Sequence, residues 1–174
     1  PAATSQNGTT NINGALWYRS LDGLRSLMLS RRDNTQWGQL PLSQEVRVVT
    51  DYDTPWLLGW ASSVLFDNRY LCTTSPKWDQ DHGVYFESMV VMDFDIISTI
   101  GARVGPTFQP AWDGMWVGLN IFQLIHSQYQ GEDRCFAFAW EPDAGGQGEI
   151  QLWELTYDGT SDDDGGTKYR IPWR

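Results

Sequence analysis

The chain has 174 residues, 41% of them hydrophobic, which is enough for a sizeable core and too many for wholesale disorder. Its 22 acidic residues outnumber 12 basic ones, and the net charge of -10 argues against an electrostatic grip on nucleic-acid phosphates or on an anionic membrane surface. The 10 Trp, 7 Tyr and 7 Phe favour strands, where flat rings pack on a pleated surface, and 17 Gly with 8 Pro supply the turns between them.

Residues 1–14, PAATSQNGTTNING, are polar and read as a flexible N-terminal segment; Pro1 in place of Met fits a processed chain or a piece of a longer one. The first hairpin follows, with Asp22-Gly23 between ALWYRSL and LRSLMLS, a pair suited to the positive φ angles of a type I′ turn. VRVVT, residues 46–50, reads as a short strand. A helix begun by a Ser43 cap competes with it, against the preference of β-branched residues. Asp67-Asn68 centres a second hairpin between SSVLF and RYLCTT. Loops rich in Gly, Pro and polar residues occupy 74–83 and 96–114, around a longer and bent strand, VYFESMVVMDFD, at 84–95.

A third hairpin turns near Gly131, between NIFQLIHSQY and RCFAFAW. There Phe136, Phe138 and Trp140 alternate with Cys135, Ala137 and Ala139, and small residues opposite large ones suit sheet-on-sheet stacking. DAGGQG then turns the chain into GEIQLWELTY, and residues 158–174 read as a polar loop with a C-terminal strand. The order of hairpin, loop and third strand recurs over 15–50, 61–95 and 116–157. The fold class is therefore all-β, built of antiparallel meanders in a β-propeller-like arrangement that is incomplete or a fragment, because three units fall short of the usual four to eight blades. A β-sandwich is the alternative.

The chemistry-bearing residues are few. His82 and His126 lack metal-ligand spacing, and no Gly-x-Ser-x-Gly, Walker-type or dinucleotide motif is present, so no catalytic residue, metal or cofactor is expected. Cys72 and Cys135 lie in apolar strand-like runs and read as buried free thiols. Asp51 with Asp53, and Asp93 with Asp95, alternate at period two, which on a strand puts each pair on one face. Such pairs serve glycoside hydrolysis or calcium binding, or simply cap turns. Trp37, Trp56, Trp60, Trp78, Trp112 and Trp116 fall in or beside loops, where a Trp either stacks on a sugar or a partner, or bridges two sheets from inside.

Five phrases in order, LDGLRSLMLSRRDNTQWGQLPLSQEV, YDTPWLLGWASSVLFDNRYLCTTSP, GVYFESMVVMDFDIIS, PAWDGMWVGLNIFQLI and GEDRCFAFAWEPD followed by GEIQLWEL, resemble the propeller-like part of virion structural proteins of tailed bacteriophages, of the tail nozzle or hub type. The resemblance covers about residues 15–157 and names no catalytic residue. It implies a non-enzymatic virion component, assembled in the host cytoplasm into the tail, where copies of itself and other tail proteins form a ring around the DNA channel. DNA would pass without tight binding, and Asp51, Asp53, Asp93 and Asp95 become candidates for acids facing that channel. A tail module that binds a host receptor or surface glycan through Trp37, Trp56, Trp78, Trp112 or Trp116 is the alternative, with a glycoside hydrolase behind it. No apolar run is long enough for a membrane span.

Overall fold

The computed structural model describes residues 6–12, 15–27, 43, 46–51, 53–79, 83–85, 88–94, 111–117, 119–142, 148–155 and 167–170. Its strands are antiparallel throughout and form three main sheets in chain order. The first holds β1 (Thr9–Ile12), β2 (Ala15–Ser20) and β3 (Gly23–Ser26). The second holds β4 (Ser63–Phe66), β5 (Arg69–Thr73), β8 (Ser88–Asp93) and β9 (Trp112–Val117). A two-stranded ribbon, β6 (Lys77–Asp79) with β7 (Gly83–Tyr85), leaves it between β5 and β8. The third is a plain meander of β10 (Ile121–Tyr129), β11 (Glu132–Pro142), β12 (Gly148–Leu155) and β13 (Thr167–Arg170). The chain is thus all-β, and a short α-helix, α1 (Arg47–Asp51), and a 3-10 helix (Pro55–Trp60) lie between the first two sheets. No helix is long and apolar enough to cross a membrane among the described residues.

The second sheet lies between the other two, and its strands divide their side chains by parity. Tyr70, Cys72, Val90 and Met92 meet Ile12, Trp17 and Leu24 of the first sheet. Val64, Leu71, Met89 and Val91 meet Ile121, Leu124, Cys135, Ala137 and Ala139 of the third. A strand buried on both faces must be apolar at consecutive positions, which is why YLC and MVVM carry no polar alternation. On the third sheet the small residues of β11 face the middle sheet and let the two backbones approach.

The first strands of the three sheets adjoin. Ser63 N–H at the start of β4 donates to Asn7 O at 2.7 Å, just before β1, and the Thr10 and Ser63 hydroxyls meet at 2.7 Å. On the other side Leu124 N–H of β10 donates to Ser62 Oγ at 3.0 Å. β1 therefore forms within the stretch read from sequence as flexible, held by its pairing to β2 and by the burial of Ile12.

Two hairpins turn as their residues demand. Asp67 and Asn68 have φ of 48° and 54°, and Gln130 and Gly131 have 55° and 83°, each pair closing a two-residue loop. Asn tolerates positive φ far better than Gln. Gln130→Asn is accordingly expected to stabilise the fold by about 0.5 kcal/mol, read as a higher denaturant midpoint. The first hairpin differs from expectation by one residue: Ser20 pairs with Gly23, so Leu21-Asp22 form the loop, and only Gly23, at φ 133°, takes the positive angle. Asp22 prefers that loop because its carboxylate accepts from Ser20 Oγ at 2.5 Å and pairs with Arg25.

Two longer-range expectations give way. Residues 46–50 do not form a strand: Val46 N–H closes a turn onto Ser43 O at 3.0 Å, and α1 follows, with Arg47 paired to Asp51 at 3.0 Å and Val49 packed on the core between the first and second sheets. The Ser43 hydroxyl is spent elsewhere, accepting from Leu24 N–H at 3.0 Å. The segment 84–95 is two strands with different partners, β7 on β6 and β8 between β5 and β9.

Candidate functional site

One buried carboxylate is the centre of a dense polar knot. Asp53 sits in the bend between α1 and the 3-10 helix, its side chain 3% exposed. Oδ2 accepts from Arg19 Nη2 at 2.6 Å and Nε at 3.2 Å, and Oδ1 accepts from Ser75 N–H at 2.9 Å and Lys77 Nζ at 3.1 Å. Arg19 also donates to Ser20 O at 2.7 Å and Thr50 O at 3.4 Å. The knot ties β2, the connection and β6 together. A carboxylate so enclosed and saturated has no capacity left for a substrate or a channel.

Asp51 and Asp53, read from sequence as a pair, separate rather than gather. Asp51 ends α1, exposed beside Arg47, so Asp51 and Asp53 do not share a sheet face. Asp93 ends β8, nearly buried, and accepts from Arg69 Nε at 3.2 Å, while Arg69 Nη1 donates to Asp67 at 2.7 Å. Asp95 lies outside the described residues. Neither pair presents two free carboxylates, and no cluster of His, Cys, Asp or Glu among the described residues could hold a metal.

The Trp candidates part in the same way. Trp112 and Trp116, read from sequence as in or beside loops, both stand in β9. Four positions apart they would share a face, but a bulge shifts the register so that Gly114 opposes Val91 and Trp112 opposes Met92. Gly114 takes φ 119° there, with open space around it. Trp112 thus packs into the core between the first and second sheets and Trp116 into the core between the second and third, both half-buried. Trp78 stands in β6 opposite Val84, and Trp37 lies outside the described residues. Trp56 is different: it is 80% exposed, and Trp60 on the same 3-10 helix is 62% exposed. Pro55 starts that helix and buried Leu58 anchors it.

An open groove of about 610 Å³ lies between the tips of the β4–β5 and β10–β11 hairpins. Phe66 and Leu155 line its apolar side, and Asp67, Glu132, Asp133 and Glu154 its acidic side. Arg134 is held by Glu154 and, at 2.7 Å, by Glu132. His126 packs edge-on to Phe66, with ring centroids 5.6 Å apart, and lies 3.7 Å from Asp133. No nucleophile joins this pair among the groove's lining residues.

Cys72 and Cys135 are buried free thiols on opposite faces of the middle layer, as read from sequence. Burial pushes Cys72 up to about 11 and Cys135 up to about 12. Neither is a nucleophile. The unfolded chain loses these protons near pH 9, before the folded chain does, so stability is expected to fall as pH rises from 9 towards 11. Urea midpoints at pH 8 and pH 10.5 test this, and Cys72→Ala should flatten the slope.

The Asp53 knot is a feature that the sequence does not announce. Arg19 and Lys77 lie 34 and 24 residues from Asp53, and no local spacing announces them. Compared with protein-family models, with curated proteins and with solved structures, the chain matches none.

Proposed function

We propose that this chain is a non-catalytic structural component of a tailed-bacteriophage virion, a tail element of the nozzle or hub type built as part of a β-propeller-like ring. The observation that carries the ring is the contact of first strands: β1 beside β4 and β4 beside β10, with each sheet then running outward in chain order. Sheets that touch along their first strands and stack face to face suit blades around an axis, and a middle sheet covered on both faces suits a two-layer sandwich less well. The phrase resemblance supplies the virion. The charge of -10 suits a wall along which DNA slides without adhering. Antibody raised against the purified chain is expected to label the tails of phage particles whose genome encodes it. Particles that lack the chain by mass spectrometry would overturn the assignment.

A second reading, a tail module that binds host glycan, is favoured by Trp56 and Trp60, whose rings lie open on an anchored helix. It predicts saturable quenching of Trp fluorescence by a host surface saccharide, lost in Trp56→Ala. Absence of quenching across a glycan panel removes it.

A further inference from the structure

We propose that the 3-10 helix binds a neutral, linear oligosaccharide through Trp56 and Trp60, each indole stacking on a different sugar of one chain. The inference rests on the glycan reading of these two residues and adds to it the class of sugar and the way it is held. Within Pro55–Trp60 the exposed residues are Pro55, Trp56, Gly59 and Trp60. Buried Leu58 fixes the helix to the fold; Leu57 N–H donates to Thr54 O at 2.9 Å and Ala61 N–H to Leu58 O at 3.1 Å. The indoles thus stand on a backbone that is already ordered, and binding need not order it first.

The spacing of the two residues selects two sugars over one. Residues three apart on a 3-10 helix eclipse one another, so Trp56 is in line with Gly59, which has no side chain to screen the ring. Trp60 lies a third of a turn further round and about 8 Å further along, at about 2.0 Å of rise per residue. Rings so separated and turned do not form one flat shelf under a single pyranose. A chain of pyranoses brings one ring to each. Stacking on the apolar face of an indole needs a sugar that presents C–H bonds on its own face. Equatorial hydroxyls and linkages provide that, as in β-1,4-linked glucose or N-acetylglucosamine.

Charge and area select this ligand over an acidic glycan or a protein. Residues 54–68 contain no Lys or Arg, and Arg19 and Lys77, which meet the bend before the helix, are buried against Asp53. This segment therefore offers no cation to a sugar acid, and the net charge of -10 repels one. At about 250 Å² for a whole Trp side chain, the exposed fractions of 80% and 62% leave roughly 350 Å². A stable protein interface takes about 800 Å² from each partner. Two sugar rings need no more than the two indole faces.

Calorimetric titration of the whole chain tests the proposal. Cellohexaose and chitohexaose are the neutral chains, glucose and N-acetylglucosamine the single sugars, and a β-1,4-linked hexamer of glucuronic acid the anionic chain. At least one neutral hexamer is expected to bind at least about 100-fold more tightly than its single sugar, because the second stacking is intramolecular. Trp56→Ala and Trp60→Ala should each bring that hexamer down to the affinity of the single sugar. Both indoles are exposed, so both variants should keep the circular-dichroism spectrum of the wild type. Equal affinity for hexamer and single sugar, lost in Trp56→Ala, overturns the two-sugar mode and leaves the glycan reading standing. Tighter binding of the anionic hexamer overturns the neutral class. Binding indifferent to both substitutions, or no binding of any of these saccharides, overturns the proposal and the glycan reading together.

Discussion

Asp53→Ala is expected to destabilise the fold by about 3–5 kcal/mol, because it leaves the charges of Arg19 and Lys77 in place without the carboxylate that neutralises them. For a chain of this length each kcal/mol moves the melting temperature by roughly 2–4 °C, so the variant should melt about 6–20 °C below the wild type. Asp53→Asn should recover only part of the loss: it keeps an acceptor for Ser75 N–H but no charge for the two cations. Asp51→Ala is the internal control. Its partner Arg47 is exposed, and its removal should leave the midpoint where it was. Thermal melts followed by circular dichroism distinguish these cases. An Asp53→Ala variant as stable as Asp51→Ala would mean that the knot does not tie the sheets.

The same residue shows where reading from sequence ends. Asp67-Asn68 and the Gln130-Gly131 turn were legible because a two-residue loop is decided by its own backbone angles. The alternation of Phe136, Phe138 and Trp140 with small residues was legible because a strand has period two. The fate of residues 46–50 was not. Their β-branching favours a strand, and what opposes it, Val49 on a core built by Trp17 and Tyr70, is remote in sequence. Asp51 and Asp53 looked like a pair on one sheet face only while a strand was assumed beneath them. Trp112 looked like a loop residue, and Trp116 like the neighbour of one, because the strand holding them contains Asp113 and Gly114, and a bulge there has no spacing signature of its own. Trp56 remained a candidate because exposure is decided by what packs nearby, which the chain order of residues does not state.

Trp17→Ala is the second large effect, and it reports on the layering as well as on stability. Trp17 is 4% exposed; its ring lies 5.6 Å from Tyr70 and 5.6 Å, edge-on, from Phe94. It is the largest side chain that the first sheet lends to the junction with the middle one. Truncating it should cost about 3–5 kcal/mol through lost burial and the cavity left behind. If the three sheets are separate layers, the damage is local. Amide exchange should rise along β1–β3 and remain slow along β10–β13, whose junction rests on Leu71, Val91 and Ala137. Ala137→Phe should do the reverse: an inserted ring pushes the third sheet off the middle one, at a cost of about 1–3 kcal/mol, and leaves exchange along β1–β3 untouched. Two variants with opposite exchange patterns follow from a stack of faces, each held by its own apolar contact. A single core shared by all strands would loosen everywhere at once in both.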